Sequence, residues 1–412
     1  MSERKRQIMV GFDLGRDNCQ ITYTENGMEM VPVSTVLGGD SYQIRTRLCK
    51  KNATESWYIG QEAKRLSDSK EGIMVSDLLA KALDNQTVQI EENEYQSSEL
   101  LAIFLKKSLS ILLSYVKKEE IAEIIFTVET LDEKMVKLWK KIKGNIAFDE
   151  DKLHIQSYNE SLYWYQVQKK KLHKTLVIDY QKKQGICRLL SMQEQKNTLY
   201  GSAETEYIEE IQTDDAYLLA LVQKAIGRQV VETIYLVGAA FEVKWYPETL
   251  NYLCKGRRVF LGQNLYTRGA CFGAYMYHHS ERQHFVFRSP YRLDFGVELN
   301  VLRMQKNTGV ELLPYGSCWF DAQKEMEVLN DGMCEIPFRI YDKNGMINEV
   351  TVPLSDMESR PEKSTKLYIQ IGCEAPDICQ IQIKDMGLGR IIPSSGKVWK
   401  KSIPFQEMKG QK

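Results

Sequence analysis

Short apolar runs of β type and stretches with helical spacing alternate along the chain as far as about Tyr277. Ile8 to Val10 leads into Gly11-Phe12-Asp13-Leu14-Gly15, and Gln20 to Tyr23 alternates as a returning strand would, so the opening predicts a β-hairpin. In Leu100 to Val116 the residues Leu101, Phe104, Leu105, Leu112 and Tyr115 recur near helical spacing, which predicts an amphipathic helix. A buried strand at Glu123 to Val128 and a helix at Asp132 to Ile142 follow. Thr175 to Ile178 predicts a further buried strand, ending at Asp179, with strand-like Gly185 to Met192 behind it. The last unit of this half is a helix around Ala216 to Ile226, a strand from Thr233 to Val237 ending in Gly238, and a helix near Tyr246 to Leu253. Such alternation argues an α/β architecture with largely internal sheets.

After His278-His279 the texture changes. Short alternating runs at Val297 to Leu302, Glu335 to Tyr341, Glu349 to Leu354, Lys366 to Ile371 and Ile378 to Lys384 are separated by Asn, Gly, Asp and Pro turns. No long amphipathic helix stands out there, and an antiparallel β-sandwich is the natural reading. The polar stretch His278 to Gln283 is the expected joint, which divides the chain into residues 1–283 and 284–412. Near the end, Lys397, Lys400 and Lys401 surround Trp399. An alternating edge strand with outward lysines explains that pattern better than a basic patch for nucleic acid.

Composition narrows the function classes. A chain of 412 residues has room for two or three domains. Lysine plus arginine equal aspartate plus glutamate at 55 each, so the net charge is zero, a poor basis for gripping nucleic acid or an anionic membrane. The nine cysteines form no CxxC pair, which points to a reducing compartment, and the opening MSERKRQIMVGFDLG holds no apolar leader core. The most apolar stretch is interrupted by Lys106 and Lys107. A cytoplasmic protein with no membrane association is therefore expected. His278 and His279 diverge in helix or strand and make a poor metal pair, and His154, His173 and His284 have no partners at ligand spacing.

The ordered blocks carry a family resemblance. VGFDLGRDNCQITY resembles the first phosphate loop of the actin-like ATPase superfamily, and YIGQEAKRL is similar to a matching stretch of DnaK-type heat-shock chaperones. EIIFTVETLDEKMVKLWKKIKGNIAF, IQSYNESLYWYQ and TLVIDY follow that family's order of connecting strand, helix, Glu-bearing segment and second phosphate strand. IYLVGAAFEVKWYPETL and GRRVFLGQNLYTRGACFGA look like its adenosine-site strand and closing helix. The resemblance implies a two-lobed actin-like ATPase fold followed by an antiparallel β-sandwich that resembles a peptide-binding domain and has no helical lid. It implies ATP or ADP with magnesium as cofactor and a protein or peptide partner for the sandwich. Gly11, Asp13, Gly15 and Arg16 would form the first phosphate loop, Asp179 with Lys182 and Lys183 the second, Glu160 would lie near metal and water, and Gly238 with Ala239 would face the base.

Departures from the pattern shape the functional expectation. Arg16 and Asp17 stand where the family has small hydroxyl residues, and Tyr180 to Gln184 replaces a run of glycines, so side chains obstruct close backbone approach to phosphate. Lys182 and Lys183 fit either a phosphate grip or a solvated turn. Glu160 fits either the family's role or a place beside the aromatic residues Tyr163, Trp164 and Tyr165. Leu79 occupies the catalytic lysine's position with Lys81 two residues late, and Ala239 replaces a glycine. The chain between Asp179 and Gly238 is too short for a full adenine-side subdomain. A DnaK-like interaction scaffold or chaperone-related factor with a degenerate ATPase site is expected, with a divergent ATP-binding chaperone ATPase as the alternative.

Overall fold

A computed structural model of the chain describes residues 6–36, 39–170, 173–180, 185–208, 212–342, 345–357 and 360–404. The fold is mixed α/β with several sheets and divides into two compact units, Met1–Val286 and Phe287–Lys412. Among the described residues no helix is long and apolar enough to cross a membrane.

In the first unit the strands β1 (Ile8–Leu14), β2 (Asn18–Thr24), β3 (Val31–Pro32), β4 (Ile121–Val128) and β5 (Leu153–Ser157) lie in the order β5-β4-β1-β2-β3. β1 to β3 run antiparallel, whereas β4 and β5 run parallel to β1. Five later strands repeat this plan. They are β6 (Thr175–Tyr180), β7 (Gly185–Gln195), β8 (Thr198–Ile208), β9 (Thr233–Val237) and β10 (Arg258–Leu261), in the order β10-β9-β6-β7-β8. Here too the first pair is antiparallel and the last two strands run parallel to the first. Every residue of β6 is buried, as expected of a strand covered on both faces.

Two helices position the centre of this unit. Tyr158–Gln168 begins directly after β5, with the Ser157 hydroxyl accepting the Glu160 amide at 3.3 Å. Leu265–Tyr277 packs against β1, β4 and the first helix. Glycines permit both contacts. A Cβ on Gly269 would fall 1.8 Å from the Ser161 carbonyl oxygen, and one on Gly11 would fall 2.2 Å from the Thr267 carbonyl oxygen. Backbones this close leave no room for a side chain, so glycine is required at both points.

The second unit contains two four-stranded antiparallel sheets. One is ordered Lys306–Leu313, Gly296–Arg303, Glu335–Asp342, Gly345–Pro353, and the other Gln323–Asn330, Thr365–Ala375, Ile378–Gly387, Val398–Pro404. Their inward residues share one core that includes Leu299, Phe338 and Val352 from the first sheet and Leu367, Ile369, Ile381 and Ile383 from the second. Val398–Pro404 is an edge strand with Trp399 buried and Lys400 exposed. Lys401 departs from the outward arrangement, because its Nζ donates to the Thr351 carbonyl at 3.0 Å.

Candidate functional site

The repeated strand order places two aspartates alike. Asp13 is the penultimate residue of β1 and Asp179 the penultimate residue of β6, and each strand turns back as a hairpin. The side chains around them form one cluster. Tyr158, in the first turn of its helix, donates its hydroxyl to Asp13 Oδ1 at 2.5 Å. Tyr266, in the first turn of the other long helix, donates to Asp179 Oδ2 at 3.4 Å. The two rings stack at 3.9 Å with 7° between their planes. Arg188, from β7, donates from Nη1 to the Tyr266 hydroxyl at 3.1 Å and lies 3.6 Å from Asp179 Oδ2. Its guanidinium carbon stands 5.4 and 5.5 Å from the centres of the Tyr158 and Tyr266 rings, within reach of a cation–π interaction. The Arg188 side chain is 1% exposed.

Burial and neighbouring charges shift the groups of this cluster. Burial pushes the Asp13 carboxyl up to about 7, reinforced by the charges of Asp179 and Glu129 and opposed by Tyr158 and Arg188. Burial works against the Arg188 guanidinium, but Tyr266, Asp179, Glu129 and Tyr158 together hold it above its ordinary value. Both phenols are raised well above theirs, chiefly by burial, so they act as neutral donors. Arg188 is thus a cation set among these carboxyl groups, and among the described residues its Nε and Nη2 have no hydrogen-bond acceptor.

An acid whose folded pKa stands above its unfolded value, about 3.9, favours folding only while protonated. The contribution of Asp13 is present below pH 4 and is lost as pH rises towards 7. Asp13→Asn keeps an acceptor for Tyr158 and removes this decline. The variant should therefore gain roughly 2–4 kcal/mol on the wild type between pH 4 and pH 8, at about 1.4 kcal/mol per pKa unit. Urea denaturation of both proteins at the two pH values measures it, and parallel pH dependences would rule the assignment out.

The other expected site residues are placed as follows. Gly11 is occupied by helix packing, as described above. Gly15 makes the hairpin turn: a Cβ there would lie 2.3 Å from the Asn18 carbonyl oxygen, and its own carbonyl accepts the Thr46 hydroxyl at 2.8 Å. Arg16 is exposed on the rim of a hollow of about 310 Å³ whose lining includes Leu14, Leu79, Glu129, Tyr158 and Tyr207. Leu79 is buried, and Lys81 donates instead to the Ser76 carbonyl at 2.5 Å. Glu160 is buried and accepts from Trp164 Nε1 at 3.4 Å, while the residue of its helix that reaches Asp13 is Tyr158. Gly238 follows β9 at φ +108°, a conformation that suits glycine, and Ala239 is exposed in the next turn. Lys182 and Lys183 lie outside the described residues.

Polar contacts also tie the helix Tyr158–Gln168 and the segment after β4 to β8. Asn159 Nδ2 donates to Thr205 Oγ1 at 2.9 Å, Thr130 and Tyr207 share a hydrogen bond of 3.0 Å, and the Tyr163 hydroxyl donates to the Leu199 carbonyl at 2.7 Å. A Cβ on Gly201 would fall 2.2 Å from the Tyr163 ring, so this contact is also close-packed. Elsewhere the structure supplies a partner that spacing did not indicate. Glu123 receives His154 Nε2 at 2.8 Å and His278 Nε2 at 3.0 Å. No group of three or more potential ligands fit to hold a metal ion is present among the described residues.

Sequence reasoning missed Arg188, Tyr158 and Tyr266. One signal was available: Arg188 interrupts the apolar run Gly185-Ile186-Cys187-Arg188-Leu189-Leu190, and an arginine in a doubly covered strand requires a buried partner. Residues 292–405 match a domain of unknown function, DUF8552. No curated protein matches the chain. Residues 29–289 match the C-terminal region of a family of unknown function, DUF5716. That stretch holds Tyr158, Asp179, Arg188 and Tyr266 and takes in more than half of the sequence, so the chain belongs to the DUF5716 family.

Proposed function

We propose that the first unit is an actin-like ATPase fold of DnaK type whose nucleotide cleft is filled by its own side chains, and that the protein works as a non-hydrolysing interaction scaffold. The repeated strand order, with an aspartate near the end of the first strand of each sheet, supports the fold assignment. The observation that carries the functional reading is Arg188. Its guanidinium lies beside Asp179 and against the stacked Tyr158 and Tyr266 rings, in the region where such a fold would admit a hydrated metal and the phosphates.

These residues do not suit a magnesium nucleotide. The carboxylates that would orient the metal's water already accept hydrogen bonds from tyrosines, and Gly11 faces a helix backbone. Leu79 in place of the family's lysine removes a cation from the reaction region. Asn159–Thr205 and Thr130–Tyr207 tie the helix Tyr158–Gln168 and the segment after β4 to β8. In this reading the β-sandwich unit binds a protein or peptide, and the protein is cytoplasmic.

Calorimetric titration of the full chain with ATP or ADP and Mg²⁺ tests the proposal. The expected result is no binding tighter than ~100 µM, which corresponds to about 5.5 kcal/mol. Low-micromolar, Mg²⁺-dependent binding that disappears in Asp13→Ala would overturn it in favour of a divergent chaperone ATPase.

A further inference from the structure

The second unit places two thiols opposite each other. In the hairpin formed by Thr365–Ala375 and Ile378–Gly387, Cys373 and Cys379 are register partners, and their Sγ atoms are 2.8 Å apart. Cys379 is fully buried in the sandwich core, whereas Cys373 is only partly buried and packs against the same core. Directly opposed residues in antiparallel strands have Cα atoms about 4.5–5.5 Å apart, inside the range a disulfide requires. A sulfur–sulfur bond of about 2.05 Å is therefore reached without any change of register. The pairing is irregular between Cys373 and Ala375, so the backbone beside Cys373 departs from the regular ladder.

We propose that Cys373 and Cys379 form a reversible disulfide site, oxidised by a small disulfide of the glutathione type and reopened by thiols. The more accessible Cys373 attacks first. Its thiolate takes one sulfur of glutathione disulfide and expels the other glutathione as thiolate, leaving a mixed disulfide on Cys373. Cys379 then loses its proton to the expelled thiolate and attacks the Cys373 sulfur, releasing the second glutathione. Two protein thiols are oxidised, one glutathione disulfide is reduced, and both protons end on glutathione. Beforehand Cys379 is held as a thiol, because its hydrogen bond with Cys373 and its burial both raise its pKa. That gives the pair an order: an accessible attacking thiol and a buried resolving one.

The chain provides its own readout. Trypsin cleavage after Lys366 and Lys384 releases Leu367–Lys384, which contains both cysteines and no others. The reduced full-length protein is treated with glutathione disulfide, blocked with an alkylating agent under native conditions, then digested and weighed. The exposed Cys254 and Cys334 serve as internal controls that take up glutathione and keep it. In the wild type, Leu367–Lys384 should become lighter by two hydrogens and carry neither glutathione nor alkyl groups, and dithiothreitol should reverse the change. In Cys379→Ser, glutathione should persist on Cys373. In Cys373→Ser, the folded protein should leave Cys379 unmodified. A wild-type peptide that retains glutathione, or keeps both thiols open to alkylation after denaturation while Cys254 and Cys334 are saturated, would overturn the proposal.

Discussion

Arg188→Met should destabilise the first unit by about 3–5 kcal/mol, the usual loss when one partner of a buried ion pair is removed. Methionine fills much of the same volume, so the loss reports charge and hydrogen bonding more than a cavity. Asp179, itself buried, would lose its ion pair with Arg188 while Asp13 and Glu129 keep their charges nearby, and the Tyr266 hydroxyl would lose its donor. Adding Asp179→Asn should restore most of the stability, because the buried negative charge is then gone as well. Denaturant unfolding of the two single variants and the double variant gives the coupling. A loss below about 1 kcal/mol in Arg188→Met, with no coupling to Asp179, would show that the guanidinium does not hold this centre together.

Asp385→Ala should produce a loss of similar size confined to the second unit. Asp385 lies at the end of a core strand, 1% exposed, and collects a set of donors. Its carboxylate accepts the Gly387 amide at 2.8 Å, the Ser395 amide at 3.0 Å and the Ser395 hydroxyl at 2.5 Å, and pairs with Arg360 Nη2 at 3.2 Å. Burial alone would raise its pKa, but Ser395, Gly387 and Arg360 outweigh it and hold the carboxyl below the ordinary value. Such a group stabilises the fold above its unfolded pKa of about 3.9, and the contribution is lost as pH falls through the folded value. The variant takes the carboxylate away from Arg360, from the Ser395 hydroxyl and from two amides, which sets an expected cost of about 3–5 kcal/mol at neutral pH. That cost should diminish towards pH 3. Scanning calorimetry of both proteins at pH 7 and pH 3.5 checks the size and the sign, and an unchanged transition at pH 7 would refute the assignment.

The elements were more legible in the sequence than the centre they build. Periodicity marks the strand at Thr175–Tyr180 and the helix at Asp215–Ile226 because each pattern is local. The alternating runs of the second half correspond to strands of the two antiparallel sheets for the same reason. The long return strand Thr198–Ile208 was not foreseen, since between its buried first residues and the buried Ile208 the stretch alternates weakly. The helix expected at Leu100 to Val116 spans Ser97–Leu112, its amphipathic face running into a polar start.

The candidate site depends on contacts between residues far apart in sequence. Tyr158 reaches Asp13 from 145 positions away and Tyr266 reaches Arg188 from 78. Gly11 can be read as a phosphate-loop glycine or as a packing glycine until the helix carrying Thr267 is in place. Asp13 and Asp179 were singled out because the short segments that carry them resemble phosphate loops, a likeness local in sequence. The cation beside Asp179 could not be inferred from spacing, because its strand and its tyrosine partners come together only in the folded unit.

Arg188 has a further consequence for signalling. A protein that reads the supply of a small molecule must let that molecule leave, since exchange with solvent is what carries the information. A guanidinium on its own strand has no dissociation step, and its local concentration is fixed by the chain and not by the cell. In the reading proposed above, energy charge therefore has no direct means of writing to this centre. On that proposal the unit would report its own abundance and the encounters it makes, as a permanently set reference part does in a machine.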